Sequence, residues 1–156
     1  MEKVIKVAAY ICKRYKEQFR QDIDEMKLHK LLYFAQREAL IRVGEPMFAE
    51  SFQAWRLGPV MPAIREFYHN GMSASMPSDS FLRKFSKVFD FVFAQYATKP
   101  SISLSDLSHG EYSWKHAREG LGLYDSCTRE MKIEDIRIDA ANASKRRVML
   151  SVLKRG

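Results

Sequence analysis

The sequence predicts a mainly α protein (α+β): a compact bundle of about five to seven helices with a small β-hairpin or extended element near residues 47–60. Three observations predict it. Apolar residues recur at spacings of three and four over most of the chain. Gly and Pro number only 7 and 5, so few sharp turns interrupt these runs. From Met47 to Arg56 the period changes to two. A chain of 156 residues, 46% hydrophobic and 12% aromatic, can bury a core without disulfides or metal and is expected to form one domain over residues 1–156.

The first helix is expected from about Glu2 to Phe19. Val4, Ala8, Ile11, Tyr15 and Phe19 make one apolar stripe, with Cys12 expected to be buried in that face. Asp24 is a good N-cap for a second helix, with Glu25 in its first turn, where negative charge is favoured. Leu28, Leu31, Leu32, Ala35 and Ala39 continue an apolar face that Tyr33, Phe34 and Leu40 widen past half the circumference. This helix is therefore expected to be central. Gly44 supplies the left-handed residue after it, and Pro46 prevents its continuation.

In the next stretch Phe52, Ala54 and Arg56 alternate with Ser51, Gln53 and Trp55, and Gly58-Pro59 reads as the turn that closes the unit. Pro62 suits the first turn of a helix with Ile64, Phe67 and Tyr68 on its apolar side, ended by Asn70-Gly71. Gly71–Ser80 is the clearest loop. Ser78 or Asp79 then caps a third long helix over Phe81–Tyr96, terminated by Lys99-Pro100. Ser103 to Asp106 resembles a capping box before a short helix through Leu107. Another helical turn is expected over Tyr112–Arg118 and an extended piece over Arg129–Ile133. A last helix runs from about Glu134 to Lys154, with Ile136, Ala140, Ala143, Val148 and Leu150 or Val152 inward.

The formal net charge is +7, and the last twelve residues carry five cations and no acid. Such an excess suits an acidic protein, a nucleic acid or a nucleotide, or simply a solvated helix end. The histidines His29, His69, His109 and His116 stand at no zinc-ligand spacing, and Cys12 and Cys127 are isolated. Neither GxxxxGK[ST] nor GxGxxG occurs. No catalytic residue, metal or cofactor is assigned. Cys127 with His109 or His116 has no local support as a nucleophile pair, and His29 reads as a packed or half-exposed residue rather than a catalytic base. Lys3, Lys6 and Lys13 interrupt the N-terminal apolar residues, so no signal peptide is read, and no run reaches the roughly 18 apolar residues of a membrane span. The expected setting is the cytoplasm, with reduced thiols and no membrane partner. Large aromatics beside cations are the residues most used as interface anchors. The candidate partner contacts are Trp55, Arg56, Arg65, Tyr68, Trp114, Lys115, Arg146 and Arg147.

Three blocks, MKLHKLLYFAQ (Met26 to Gln36), GEPMF (Gly44 to Phe48) and FQAWRLGPVMP (Phe52 to Pro62), resemble the Panacea domain of SocA-like antitoxins, a family that includes phage-associated proteins. LSDLSHGEYSWKHAREG (Leu104 to Gly120) resembles a second block of that family, and the likeness runs from about Lys3 to Ile138. Two departures are Ser108, where threonine is common, and Tyr112-Ser113-Trp114 in place of Pro-Trp. The resemblance implies a helical domain that neutralises a toxin encoded beside it by direct protein contact. It also implies toxins of varied chemistry, including ATP-using small alarmone-synthetase-like enzymes of the nucleotide pyrophosphokinase type. It carries over no catalytic residue. The alternatives are a nucleic-acid-binding autoregulator of the operon, with DNA as partner, or a proteolytic adaptor that delivers the toxin to a protease.

Overall fold

The computed structural model describes residues 1–155. Among them, eight helices and one antiparallel hairpin follow in the order α1 (Val4–Phe19), α2 (Glu25–Arg42), β1 (Gln53–Trp55), β2 (Gly58–Val60), α3 (Pro62–His69), α4 (Asp79–Lys84), α5 (Ser86–Gln95), α6 (Ser101–Ser108), α7 (Tyr112–Ala117) and α8 (Ile133–Arg155). The mainly helical architecture and the hairpin within 47–60 are as the sequence predicts. There is one helix more than the seven expected at most, because the run over Phe81–Tyr96 breaks at Phe85, whose φ of −106° and ψ of 14° leave the helical region. Phe81 and Phe85 stay packed on each other across the break, with ring centroids 4.8 Å apart.

The second helix is the centre of the bundle. Asp24 caps it by accepting from Lys27 N at 2.9 Å, and Gly44 follows its end at a φ of +80°. Every residue from Lys27 to Leu40 is buried, because α1, α3, α5, α6, α8 and β2 all pack around it. That enclosure takes in Lys27, His29, Lys30, Gln36, Arg37 and Glu38 along with the leucines. A buried polar group is costly unless it is paired. Here each one reaches a different part of the chain. Lys27 Nζ donates to Ala97 O (3.0 Å) beyond the end of α5. Gln36 accepts from Met47 N (2.7 Å) and donates to Phe48 O (2.9 Å), which fixes the segment leading to the hairpin. Arg37 joins Glu111 Oε1 (2.7 Å) and the Tyr96 hydroxyl (2.7 Å). Tyr33 donates its hydroxyl to Asp139 Oδ2 at 2.6 Å on α8, which ties the same network to the last helix.

Several local expectations are corrected. Gly58-Pro59 lies within β2, paired with Trp55 and Ala54, and the turn is Arg56-Leu57. The helix expected to start at a Ser103 capping box starts at Ser101, after Pro100, with no side-chain cap. Cys12 is only half-buried. In α8, Ile136, Ala140 and Ala143 face inward, but Val148, Leu150 and Val152 are exposed, as are Met149 and Leu153. The helix runs on past its last packing partner, so its periodicity continues where no core remains to receive it.

That last partner is Glu38, fully buried on α2. Arg147 holds it through two bonds (2.9 and 2.7 Å) and Arg42 through a third (2.6 Å). Phe91 is flanked by both guanidinium groups, at 4.3 Å from Arg147 and 5.0 Å from Arg42. Arg147→Ala should lower stability by about 2 kcal/mol, below the full cost of breaking a buried pair because Arg42 remains. Urea unfolding reads this as a lower midpoint, and Lys145→Ala, on the exposed side of α8, should leave the midpoint unchanged.

Candidate functional site

Strands of three residues cannot hold a hairpin together in water. Side chains from three directions do so instead, by donating to the hairpin's own carbonyls. Lys30 Nζ on α2 donates to Pro59 O at 3.1 Å. The Ser105 hydroxyl on α6 donates to Leu57 O. Trp114 Nε1 on α7 donates to Trp55 O at 2.8 Å, and Arg118, just past α7, donates to Ala54 O at 2.9 Å. On the other edge of β1, Ala54 N donates to Arg129 O (2.9 Å) and Met131 N to Phe52 O (2.8 Å), so the extended piece expected over Arg129–Ile133 is present as a short bridge. Gly58 is required where the two sides close up. Its φ is +113°, and a Cβ there would come within 2.6 Å of Lys30 Cε and closer still to Ser108. The product is a rigid turn whose tip, Arg56-Leu57, points into solvent.

Beside the tip lies a groove of about 550 Å³. Its floor is the first turns of α2, with Glu25, Met26, His29 and Lys30. One wall is Trp55 to Leu57 with Val60 and Arg65, and the other is Ser126, Cys127 and Thr128. Arg65 from α3 lies over the Trp55 ring, 5.2 Å from its centroid. The Glu25 carboxylate gathers His29 (3.1 Å), His69 (2.8 Å) and Arg65 (3.4 Å). Burial works to raise its pKa, but these partners outweigh it and hold the carboxyl below its ordinary range. Burial pushes Lys30 down to about 8. His29 Nδ1 accepts from Met61 N at 3.3 Å, so in the neutral ring Nε2 carries the proton and donates to Glu25. The groove thus combines apolar walls with Lys30, Arg56 and Arg65, and its one carboxylate is already shared.

Trp55, Arg56 and Arg65, three of the eight candidate contacts, meet at this groove. Trp114 is 4% exposed and acts as a clamp under the hairpin, with His109 stacked on its ring at 4.3 Å. Tyr68 is half-buried and donates to Ile23 O at 2.9 Å. Lys115 and Arg146 are exposed elsewhere, and Arg147 is taken up by Glu38. His116 pairs with Asp135 at 2.7 Å, and among the described residues neither it nor His109 bonds the Cys127 thiol. Among the described residues no cluster of three or more His, Cys, Asp or Glu could hold a metal ion, and no helix is long and apolar enough to cross a membrane. The residues that sequence reasoning missed are the clamps Lys30, Ser105 and Arg118. Arg118 also gathers the carbonyls of Gly122 (3.1 Å) and Asp125 (2.6 Å), so one buried guanidinium orders the loop that leads to the far wall. Lys30, set between Leu28 and Leu31 on an apolar helix, carried the available signal.

His29 makes the pH response specific. Burial pulls its pKa down from 6.5 to about 4, against the opposing pull of Glu25 and with further lowering from Lys30 and Arg65. The unfolded chain therefore takes up this proton first as pH falls. Stability contributed by the neutral ring is complete above pH 6.5, declines by about 3 kcal/mol down to pH 4, and then levels off. Chemical denaturation at stepped pH values should show that slope, and His29→Gln, which keeps a donor and an acceptor, should reduce it to the smaller part left by His109, whose pKa burial also lowers.

A family model described as "Antitoxin SocA-like, Panacea domain" matches residues 28–115, from within α2 into α7. That stretch includes the hairpin and three of its four clamps. Antitoxin SocA of Caulobacter vibrioides (strain NA1000 / CB15N) is 44% identical to this chain over 50 residues, which is 31% of this chain and 27% of that protein. The alignment thus spans little more than a quarter of the relative's length. No solved structure matches the chain. The family model covers more than half of the chain, including the helix and hairpin around which the groove is built, and this chain belongs to the Antitoxin SocA-like, Panacea domain family.

Proposed function

We propose that the chain is an antitoxin that neutralises a toxin encoded beside it by direct protein contact that masks the toxin's active site. The observation that carries this reading, beyond family membership, is the clamped Arg56-Leu57 turn beside an apolar, cationic groove. A surface fixed before binding loses little conformational entropy on binding, which favours tight masking. The contact set centres on Trp55, Arg56, Leu57 and Arg65. The overhanging end of α8 is a second surface, where Arg146 accompanies exposed Val148, Met149, Val152 and Leu153. Against a toxin of the nucleotide pyrophosphokinase type, Arg56 and Arg65 have the planar donors that pair with carboxylates of the toxin or with a phosphate of its bound nucleotide. The role is that of a binding protein without catalysis of its own.

The test is co-expression. The chain should restore growth to cells producing the toxin from the adjacent reading frame, and the two proteins should co-purify. Inhibition of the purified toxin should saturate near equimolar ratio. Full inhibition at far smaller amounts would point to an enzyme instead, and disappearance of the toxin protein in cells would point to an adaptor for a protease.

The α8 end motivates a second reading, operon DNA as a ligand, because Lys145, Arg146, Lys154 and Arg155 are exposed there. The apolar side chains between them suit a protein groove better than a phosphate backbone. If DNA does bind, a gel shift on the operon's promoter should weaken steeply between low and moderate salt. The absence of a shift at low salt would end this reading.

A further inference from the structure

The ammonium of Lys30 has three N–H bonds to offer, and Pro59 O at 3.1 Å takes one. That acceptor is neutral, and among the described residues no carboxylate forms an ion pair with Lys30. The residue is only 1% exposed and lines the groove floor. Glu25 and Asp24 act on it only from beyond ion-pair distance, and a cation so poorly hydrated gains from an anion brought into direct contact. Above it stand two more cations, Arg56 at the exposed turn and Arg65 across the Trp55 ring. Met26 on the floor and Leu57 and Val60 on the hairpin wall supply apolar surface, and Ser126 to Thr128 form the opposite wall.

Resting on the neutralisation reading above, we propose that this groove is the receptor for an acidic segment of the partner toxin. An Asp or Glu carboxylate of that segment reaches Lys30 Nζ between Arg56 and Arg65. A neighbouring apolar side chain lies against Trp55 and Leu57. The volume of about 550 Å³ holds a few side chains, within the range of ordinary ligand pockets. A nucleic-acid backbone fits the site poorly, because its most enclosed cation lies at the bottom of a concave site rather than on a raised basic surface. Glu25 also adds a negative charge to the lining, which the closely spaced single charges of a phosphodiester backbone would meet repeatedly and a lone carboxylate among apolar atoms meets once. Because burial lowers the Lys30 ammonium to about 8, an incoming carboxylate meets a mostly charged ammonium at neutral pH and a waning one above it.

The experiment uses the full chain and the toxin from the adjacent reading frame. Affinity is measured by calorimetry at neutral pH and at about pH 9, and hydrogen exchange is followed on the complex. Arg56→Glu and Arg65→Glu should each weaken binding at least about tenfold, the range of desolvated interfacial charge pairs. Lys87→Glu on α5 should leave it unchanged. All three side chains are exposed, so thermal midpoints near that of the unaltered chain will show that folding survives. Leu57→Asp is a further groove variant in case Arg65→Glu disturbs Trp55. Complex formation should protect residues 55–60 and 126–128 from exchange, and affinity should fall at the higher pH. Undiminished binding by the groove variants, with protection confined to the end of α8, overturns the groove assignment and leaves neutralisation standing. Failure of the unaltered chain to bind the toxin overturns both.

Discussion

The structure depends on a helix that is enclosed on every side and yet carries charged and polar side chains into that enclosure. An all-apolar α2 would gain the same burial in many rotations and registers. Lys27, Lys30, Gln36, Arg37 and Glu38 remove that freedom, since each meets its partners at one place: the carbonyl beyond α5, the β2 carbonyl, the segment at Met47–Phe48, Glu111 with Tyr96, and Arg147 with Arg42. A slip by one residue would leave several buried polar groups unpaired at once, at about 1–3 kcal/mol for each. Hydrophobic burial supplies the cohesion, and the polar contacts select one arrangement of the surrounding elements.

The hairpin inherits its position from this helix. Its own ladder is too short to be stable, and its carbonyls are held by donors on α2, α6, α7 and the residue after α7. Lys30 is thus both a floor residue of the groove and a support for the strand that forms its wall. The same ammonium links the interior of the bundle to the surface where Arg56 and Leu57 emerge, so the shape of that surface is set by the core.

Much of the bundle was legible in the sequence, because amphipathic spacing depends only on which side chains avoid water. The N-caps at Asp24 and Ser78, the left-handed residue at Gly44 and Pro62 in the first turn of α3 follow from local chemistry and stand where they are expected. What was not legible depends on three-dimensional neighbours. Gly58 looks like a turn residue, but its missing Cβ serves close approach to Lys30 and Ser108 inside a strand. Val148, Leu150 and Val152 continue a helical apolar row, but periodicity carries no information about where the opposing core stops. Trp114 and Arg147 have the residue types of interface anchors, and type alone does not distinguish a side chain that faces a partner from one that holds the fold. Lys30 and Arg118 were overlooked for the reverse reason, since a lysine and an arginine ordinarily lie at the surface.

The two walls of the groove differ in how they are tied to the fold. The wall carrying Trp55, Arg56 and Leu57 lies inside the stretch that matches the family model and is clamped by residues of α2, α6 and α7. The opposite wall, Ser126 to Thr128, lies beyond that stretch, at the end of a loop ordered mainly by Arg118 through backbone carbonyls. Carbonyl acceptors are present whatever the side chains, so the loop can change its residues and keep this anchor. The hairpin clamps also act through backbone carbonyls, so on both walls the exposed side chains, Arg56 and Leu57 on one and Ser126 and Thr128 on the other, are free of the core, whereas Cys127 is buried in it. A fold built this way can keep the frame of the groove constant while the exposed residues of both rims are recut, and that is a physical route by which one scaffold could meet partners of different chemistry.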